Sequence, residues 1–359
     1  ADGRFVTVTK PWPRSDRPTL SQFRTAANAD PDIAKRIIAV VGEKAYKLKY
    51  RPLHGDYREL AEAPAAVYQI DWMLADVWLA SELNRLPVGR PFVYFVVDTF
   101  SRMVVGLYIT LEYPSYRTAA IALLESMTSK YDYARRFGIE LEQGTWDCEH
   151  MADTVLHDGG ELASHLGDWM PENGADLATA APYRGDYKAI VERSFGITGM
   201  GAIEWLDGAT FKPGVDERPD PKKTCGLTLI EFTRLMIHFV VDVLNPRWIS
   251  KMALPVEALH DSKDARPIDL WSWGRRRVSG RLRKMSRADL LPMLLQRADA
   301  TVDSRRGLVL EGVIFYAEGC DQLRELMLRA AASPVSRPSL TVLVAYDPNT
   351  TNEVYMVGE

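Results

Sequence analysis

Residues 89–109 read GRPFVYFVVDTFSRMVVGLYI and contain two apolar runs on either side of the short polar segment 99–102. Each run has the length of a strand and is rich in β-branched and aromatic residues, which favour a pleated surface. The segment between them is long enough only for a hairpin turn. The sequence therefore predicts two antiparallel strands, at 92–98 and 103–111.

Elements on either side of this hairpin extend it to an α/β pattern. An apolar strand is predicted over 67–80, a helix over 115–133, short strands at 154–158 and 177–181, and a helix over 185–197. Strands separated by helices are joined by crossovers, because a tight turn cannot connect parallel neighbours. The order predicts one mixed sheet, with three antiparallel strands first and helices on its faces.

Three carboxylates occupy unusual places in this pattern. Asp71 lies inside the first predicted strand, Asp158 ends the fourth, and Glu192 lies in the last helix, with 86 and 33 residues between them. An Asp inside a strand is disfavoured, and a buried carboxylate is costly without a positive partner. No Lys, Arg or His lies within ten residues of Asp71. A shared divalent ion is therefore expected, Mg²⁺ or Mn²⁺, because these ions prefer oxygen ligands.

Such a site would suit phosphoryl transfer on nucleic acid. Two metal ions about 4 Å apart can activate the attacking oxygen and stabilise the leaving one. Each residue alone is a weak signal, because an Asp before Gly-Gly usually forms a turn and a helical Glu is usually solvated. The set of three is the stronger signal. A glycosidase built on two carboxylates would leave the third unexplained.

Other acidic residues compete for the same role. Asp98 also ends an apolar strand, but residues 98–102 are better interpreted as a turn whose Asp and Ser side chains bond backbone amides. Asp76 and Glu161 are weaker alternatives. The expected metal ligands therefore remain Asp71, Asp158 and Glu192.

The cysteines give little support to a zinc site or a disulfide framework. Cys148, Cys225 and Cys320 are scattered and odd in number, which fits a reducing compartment. A zinc interpretation of Cys148, His150 and His157 lacks the second pair of ligands that a structural site requires. The segment around Cys148 is better interpreted as a loop before the fourth strand.

Six stretches carry a family resemblance. They read YQIDW at 68–72, GRPFVYFVVDTFSRMVVGLYI at 89–109, VLHDGGE at 155–161, PYRGDYKAIVERSF at 182–195, LWSWGRRRVSGRLR at 270–283 and VAYDPNTTNEVYM at 344–356. Together they resemble the DDE transposases of the TnsB/TniA group, relatives of the Mu transposase and the retroviral integrases. The resemblance is close over 65–200 and implies an RNase H-like catalytic core, with a small β-barrel towards the C-terminus.

The resemblance also implies an activity and partners. Its catalytic triad falls on Asp71, Asp158 and Glu192, and the implied reactions are cleavage of the 3′ transposon ends and joining of the freed 3′-OH to target DNA. The implied partners are double-stranded transposon-end and target DNA, further copies of the chain, an AAA+ ATPase of the TnsC/TniB type, and in one subgroup an endonuclease for the 5′ ends. Many members have Asp-Arg-Gly-Glu where residues 158–161 read DGGE, which puts one local contact in doubt.

Two rival functions share these features. An RNase H-like nuclease or resolvase would hydrolyse DNA without joining it, and a catalytically decayed scaffold would only bind DNA. A strand-transfer assay with pre-cut ends separates the first rival from a transposase. The intact set of three carboxylates counts against the second.

Basic residues mark the expected DNA contacts. Lys188 lies four residues before Glu192 and so shares its helical face. Residues 271–287 read WSWGRRRVSGRLRKMSR and carry seven basic residues and no acidic one. The residues expected to contact DNA are Arg184, Lys188, Arg193, Arg275, Arg276, Arg277, Arg281, Arg283 and Lys284. Trp271 and Trp273 are expected in the core of the barrel.

Composition and length complete the expectations. The 359 residues have a net charge of −4, but screening over about 8 Å makes local clusters decisive for phosphate contact. The predicted domains are an N-terminal helical segment and linker (1–63), an RNase H-like core (64–205), a loop and helical connector (206–266) and a DNA-contacting β-barrel (267–359). A chain without a signal peptide or transmembrane stretch is expected to be cytoplasmic, and its start at Ala1 favours a fragment of a longer protein.

Overall fold

A computed structural model gives the arrangement of the chain. The residues it describes are 18–29, 32–43, 46, 61–157, 176–179, 189–198, 202–210, 220–250, 252, 254–261, 263–277, 282–316, 318–332, 340–346 and 353–357. Among these residues, no helix combines the length and the apolar character that crossing a membrane requires.

The chain divides into two compact units, of which the first contains two short helices. These are α1 (Leu20–Ala29) and α2 (Ile33–Val41). α2 begins after Asp32, whose side chain accepts a hydrogen bond from the backbone N–H of Lys35 at 3.0 Å. Both helices fall within the predicted N-terminal helical segment and linker over 1–63.

The second unit is built on a five-stranded mixed sheet. Its strands are β1 (Val67–Leu74), β4 (Phe92–Asp98), β5 (Val104–Thr110), β6 (Thr154–His157) and β7 (Asp176–Thr179), in the order β5-β4-β1-β6-β7. β1, β4 and β5 are antiparallel neighbours, whereas β6 and β7 run parallel to β1. The predicted mixed sheet, with its antiparallel strands first, is confirmed.

The first strand is shorter than predicted. Its ladder ends at Leu74, because the chain turns away where the Arg90 side chain donates to the carbonyl of Ala75 at 2.9 Å. The following residues form a separate two-stranded hairpin of β2 (Leu79–Ala80) and β3 (Pro87–Gly89). The predicted single strand over 67–80 is therefore wrong in its second half.

Helices cover both faces of the sheet. α3 (Tyr116–Met127) packs on β4 and β5, and α5 (Ala189–Thr198) packs on β1 and β4. The Tyr94 hydroxyl lies 2.8 Å from the Thr118 hydroxyl of α3, whereas its neighbour Phe95 stacks on Phe195 of α5. Because successive strand residues project to opposite faces, α3 and α5 lie on opposite sides of the sheet.

Close packing of α3 on β5 depends on Gly106. A Cβ atom at this residue would lie 2.6 Å from Cβ of Ser126 and 3.0 Å from Cβ of Val96. We expect Gly106→Ala to lower the free energy of unfolding by about 1–3 kcal/mol, the range for overpacking. Gly196→Ala in α5 is the control, because nothing lies within 4 Å of its added Cβ and Ala is the better helix former. Urea denaturation should show a loss only for the first; equal effects would contradict the account.

The predicted helix over 115–133 is two helices. α4 (Lys130–Arg136) begins after Ser129, whose side chain accepts from the backbone N–H of Asp132. The buried Lys130 ammonium donates to the carbonyls of Ser126 at 3.0 Å and Thr128 at 2.6 Å. It thereby provides hydrogen-bond donors for backbone carbonyls at the C-terminal end of α3. Burial lowers the pKa of Lys130.

Further helices follow in the C-terminal half. They are α6 (Pro221–Thr224), α7 (Leu229–His238), α8 (Val256–His260), α9 (Pro267–Arg277), α10 (Arg287–Leu294) and α11 (Asp321–Ala332). Thr228 and Glu231 form a capping box at the start of α7, and α7 continues into a π-helix, Phe239–Leu244, that is followed by Asn245. The Asn245 amide bonds both backbone groups of Val104, at 2.9 and 3.2 Å, which fixes this connector to β5.

The last strands form a second sheet. β8 (Gln296–Asp303), β9 (Gly307–Leu310), β10 (Val313–Phe315), β11 (Leu340–Tyr346) and β12 (Val354–Met356) pair antiparallel in the order β10-β9-β8-β11-β12. Both edge strands line one cavity of about 470 Å³. The predicted barrel is therefore a curled half-barrel in the described residues, and β8 is a strand that the sequence prediction missed.

The tryptophans of α9 lie in the core below the first sheet. Trp271 is buried in the same cluster as the strands of that sheet, and Trp273 stacks on Phe100 with ring centroids 6.5 Å apart. Gly274 permits this packing, because an added Cβ would lie 2.6 Å from Pro64. The predicted placement of Trp271 and Trp273 in the barrel core is wrong.

Candidate active site

Asp71 lies in the middle of the first sheet. It is half-buried in β1 and stands opposite Phe95 of β4. Its carboxylate accepts a hydrogen bond from the backbone N–H of Trp72 at 2.9 Å. Opposite residues of an antiparallel pair project to the same face, so Asp71 and Phe95 share the face that α5 covers.

The strand before Asp158 is the parallel neighbour of β1. β6 pairs with β1 through Val67↔Thr154, Tyr68↔Val155 and Gln69↔Leu156, and it ends at His157. Asp158 itself lies outside the described residues. The ladder establishes that the strand leading to Asp158 runs beside the strand that carries Asp71, in the same direction.

The helix that carries Glu192 lies over the face of Asp71. Phe195 of α5 stacks on Phe95, with ring centroids 5.1 Å apart and an interplanar angle of 17°. Glu192 precedes Phe195 by three residues, which is close to one helical turn. The described residues do not include the side chain of Glu192. The structure therefore brings the two elements together, and the approach of the carboxylates stays a prediction.

No complete metal site occurs within the described part of the chain. There, no group of three or more His, Cys, Asp or Glu residues is placed to hold an ion. Of the predicted ligands, Asp71 alone has a described side chain. The donor set is nevertheless of the right chemistry, because carboxylate oxygens are the ligands that Mg²⁺ and Mn²⁺ prefer.

Asp98 has a structural role at the other end of β1. Its fully buried carboxylate accepts from the N–H of Ala65 at 2.9 Å, the N–H of Ser101 at 2.7 Å and the hydroxyl of Ser101 at 2.5 Å. Burial raises the pKa of Asp98 to about 6, and the hydrogen bonds from Ser101 and Ala65 oppose that rise. The interpretation of Asp98 as a turn residue is confirmed.

Replacing Asp98 with Ala should therefore destabilise the protein and not alter its chemistry directly. Leaving buried donors without acceptors costs about 1–3 kcal/mol each, so we expect a loss of roughly 2–5 kcal/mol of unfolding free energy. Urea denaturation measures this loss. DNA cleavage by the fraction that remains folded at low temperature should match the wild type; complete loss of cleavage in folded Asp98→Ala protein would place Asp98 in the active site.

Of the two weaker alternative metal ligands, Asp76 and Glu161, only Asp76 lies in the described part of the chain. Asp76 forms an ion pair with Arg90 and accepts from the Thr210 hydroxyl at 3.1 Å. Glu161 lies outside the described residues. Asp76 thus has a partner beyond the end of β1.

The cysteine and histidines of the zinc interpretation lie in the core. The Cys148 thiol donates to the carbonyl of Val105 at 3.6 Å, and burial raises its pKa to about 12. Burial lowers the pKa of His150 to about 4, and its Nδ1 is buried without a hydrogen-bond partner among the described residues. His157 is buried in β6. A thiol held in its protonated form is a poor metal ligand.

The basic run after residue 270 is largely paired with acids from elsewhere in the chain. The pairs are Arg275–Asp147 at 2.6 Å, Arg277–Asp261, Arg283–Asp153 at 3.3 Å, Lys284–Glu149 and Arg287–Glu125 at 3.0 Å. Arg276 is exposed and has no ion pair within the described residues. Arg193 is exposed on α5, whereas Arg184, Lys188 and Arg281 lie outside the described residues. DNA contact by these residues stays a prediction.

The sequence does contain a signal for these ion pairs, a group of three acidic residues outside the basic run. Asp147, Glu149 and Asp153 precede β6 within a few residues of one another. Their charge complements the basic run, and three of its five ion pairs among the described residues use them. The absence of acids inside the run therefore said nothing about acids facing it.

Two sequence comparisons relate the chain to known proteins. Residues 69–208, which contain all three predicted ligands, match the family model of the TnsB C-terminal domain. Over 367 residues the chain is 30% identical to the transposon Tn7 transposition protein TnsB of Escherichia coli, in an alignment that covers 98% of the chain. The chain is a relative of the TnsB transposases.

The relationship to TnsB concerns part of the longer relative. The chain spans about half of the Tn7 protein, since the alignment covers 51% of it. The transposase for transposon Tn552 of Staphylococcus aureus is 26% identical over 91 residues, which is 25% of the chain and 18% of that protein. The names of both relatives refer to transposition.

Solved structures of retroviral integrase cores are weakly similar to this TnsB relative. The catalytic core domain of BIV integrase has a TM-score of 0.32 at 12% identity, covering 59% of the chain and 97% of that domain. The HTLV-2 integrase core in complex with magnesium has a TM-score of 0.29 at 13% identity, covering 55% and 97%. At such scores the structural similarity adds nothing to the functional argument, which rests on the sequence matches.

Proposed function

We propose that the chain is the catalytic part of a DNA transposase that cleaves the 3′ ends of a transposon and joins them to target DNA. The observation that carries the proposal is the stacking of Phe195 on Phe95 in a relative of TnsB. That contact holds the helix of Glu192 over the face from which Asp71 projects. The reaction is metal-dependent phosphoryl transfer.

The ligand set follows from the strand ladder. Continuing the β1–β6 register for two residues beyond Gln69↔Leu156 would set Asp158 beside Asp71. Glu192 would reach the same place from α5. Two Mg²⁺ ions, with Mn²⁺ as a substitute, would supply Lewis-acid activation of the attacking oxygen and stabilisation of the leaving oxygen.

The carboxylates act by position and charge. Asp71 lies in β1, and Asp158 directly follows β6, the parallel neighbour of β1, in the sequence. Because neighbouring strands are about 4.8 Å apart, the two carboxylates would be held near each other. Glu192, on α5, would supply the third carboxylate of the ligand set. Water would attack the phosphodiester at the transposon end first, and the freed 3′-OH would then attack target DNA at the same site. Both steps are in-line displacements that need no covalent bond to the protein.

The partners follow from the same proposal. Double-stranded transposon-end and target DNA would be the substrates, and several copies of the chain would act together because two ends must be joined. An AAA+ ATPase of the TnsC/TniB type and an endonuclease for the 5′ ends are further proposed partners. The proposed division of the chain remains 64–205 as the RNase H-like core, 206–266 as the connector and 267–359 as the DNA-contacting module.

A strand-transfer assay tests this function directly. Pre-cut transposon ends and supercoiled target plasmid would be incubated with the protein, its ATPase partner and Mg²⁺, and joined products separated on a gel. The proposal predicts joined products that require the divalent ion. Hydrolysis of DNA without any joining would favour the nuclease or resolvase alternative.

The ion pairs sharpen the prediction for the basic run. A guanidinium already paired with a carboxylate releases few counterions on binding DNA, so Arg276 should matter more than Arg275. We expect Arg276→Gln to reduce the slope of log affinity against log salt by about 0.9, the value for one lost phosphate contact. Arg275→Gln should change the slope less. Binding titrations over a range of salt concentrations measure both, and an unchanged slope for Arg276→Gln would identify the run as a solvated face.

A further inference from the structure

Arg247 is a half-buried arginine without a carboxylate partner among the described residues. It follows the π-helix and has no ion pair there. Its Nη1 atom is buried and has no hydrogen-bond partner in that part of the chain. A buried donor without an acceptor is costly and uncommon in folded proteins. The guanidinium therefore requires an acceptor that the described chain does not supply.

The segment of Arg247 is held against the β4–β5 turn. Asn245 bonds the backbone of Val104 directly after that turn, and Ile249 packs in the same cluster as Phe100 within the turn. These contacts bring Arg247 towards Arg102, which lies at the end of the turn. Arg247 is thus held near the turn by the contacts of Asn245 and Ile249, which lie on either side of it in the sequence.

A third arginine comes from α5. The pKa of Arg247 is lowered to about 10, mainly by burial and then by the nearby positive charges of Arg193 and Arg102. Arg193 is exposed and has no ion pair among the described residues. Arg102 and Arg193, from two separate elements, therefore each lie within electrostatic range of Arg247.

Such a cluster differs from another group of arginines in this chain. Arg136 and Arg287 converge on the buried carboxylate of Glu125, which compensates their charge. Arg247 has no such carboxylate among the described residues, so a bound anion would offset its charge. Arginine is well suited to phosphate because its planar fork binds two oxygens at once.

We propose that Arg102, Arg193 and Arg247 form a phosphate-binding cluster that holds the backbone of the DNA beside the carboxylate site. This inference rests on the proposed function, which supplies DNA as the ligand. Arg193 directly follows Glu192 in the sequence, so the cluster includes a side chain of the helix that carries this predicted metal ligand. Contacts to phosphate are independent of base sequence, and the cluster would therefore bind end and target DNA alike.

Salt-dependent binding to a short DNA duplex tests the cluster. Arg193→Gln and Arg247→Gln should each reduce the slope of log affinity against log salt by about 0.9, and the double variant by about 1.8. Arg234→Gln is the matched control, because Arg234 is an exposed helical arginine outside the proposed DNA-contacting module, and its guanidinium donates to the carbonyl of Phe137 at 2.6 Å. The control should keep the wild-type slope. Equal slopes for the wild type, Arg193→Gln and Arg247→Gln would overturn the proposal.

Two further readouts keep the outcomes distinct. Arg193 is exposed, so Arg193→Gln tests the cluster even if Arg247→Gln lowers stability in a thermal melt. Wild-type cleavage and joining are measured separately. If the wild-type protein joins DNA but the slopes of the Arg193 and Arg247 variants are unchanged, the proposed function is supported and the cluster is wrong. If the slopes of the Arg193 and Arg247 variants fall as expected but the wild-type protein never joins DNA, the cluster is supported and the proposed function is wrong.

Discussion

Asp71→Asn and Glu192→Gln are each expected to lower end cleavage and strand joining together, by a factor on the order of 10³ or more. Each change removes one negative charge from the ligand set and keeps the size of the side chain. In the first variant the new amide oxygen can still accept from the N–H of Trp72, as the Asp71 carboxylate does at 2.9 Å, so folding should be preserved. Labelled end DNA and target plasmid in the presence of Mg²⁺ measure both reactions.

Asp76→Asn is the matched control for these variants. Asp76 is an exposed acid shortly after β1, paired with Arg90, and its replacement should leave both reactions unchanged. DNA binding without divalent ions should be close to wild type in all three variants. A variant of Asp71 or Glu192 that loses joining but cleaves ends normally would contradict a single site for both steps.

Replacing Arg136 and Arg287 together by Met is expected to lower the free energy of unfolding by about 3–5 kcal/mol. The Glu125 side chain is only 3% exposed and forms ion pairs with Arg136 of α4 and with Arg287 of α10, the latter at 3.0 Å. Losing both partners leaves a buried carboxylate without compensation. Urea denaturation monitored by tryptophan fluorescence measures the change.

A third substitution distinguishes the loss of pairing from the loss of packing. Adding Glu125→Met to the double variant removes the uncompensated charge and should restore most of the lost stability, because apolar replacements of a buried ion pair are often neutral. Arg135→Met, which removes an exposed pair with Asp132, should cost less than about 1 kcal/mol. A double variant as stable as Arg135→Met would show that α10 is not held to the core through Glu125.

Local signals made the first sheet predictable. The apolar runs on either side of residues 99–102 pair as an antiparallel hairpin, because both strands are buried and the turn between them is short. Asp98 was separable from the metal ligands for a similar reason, since its Ser partner lies three residues away. Features that depend on neighbours in sequence were therefore accessible before the fold was known.

Features that depend on residues distant in the sequence could not be predicted before the fold was known. β8 reads QRADATVD, and its inward side is made only of small residues such as Ala300 and Val302, so its strand pattern is weak. α9 was expected in the barrel, because nothing in its sequence reveals that Trp273 stacks on Phe100. Arg247 is a single basic residue after a proline, and only the fold brings it towards two other arginines.

The candidate site was predictable in kind but not in full. Asp71 was found because a carboxylate inside an apolar strand is unusual, and the structure places it under the helix of Glu192. The basic run was expected to contact DNA, whereas three of its residues form ion pairs with Asp147, Glu149 and Asp153. Charge compensation across the fold is the reason that a run of arginines alone did not identify a DNA-binding surface.

A structure of the protein with transposon-end DNA and a divalent ion is the most direct test of the proposed active site. We expect divalent ions to be held by the carboxylates of Asp71, Asp158 and Glu192, beside the scissile phosphate. Ions bound to other residues, or Glu192 turned away from Asp71 with DNA in place, would contradict it.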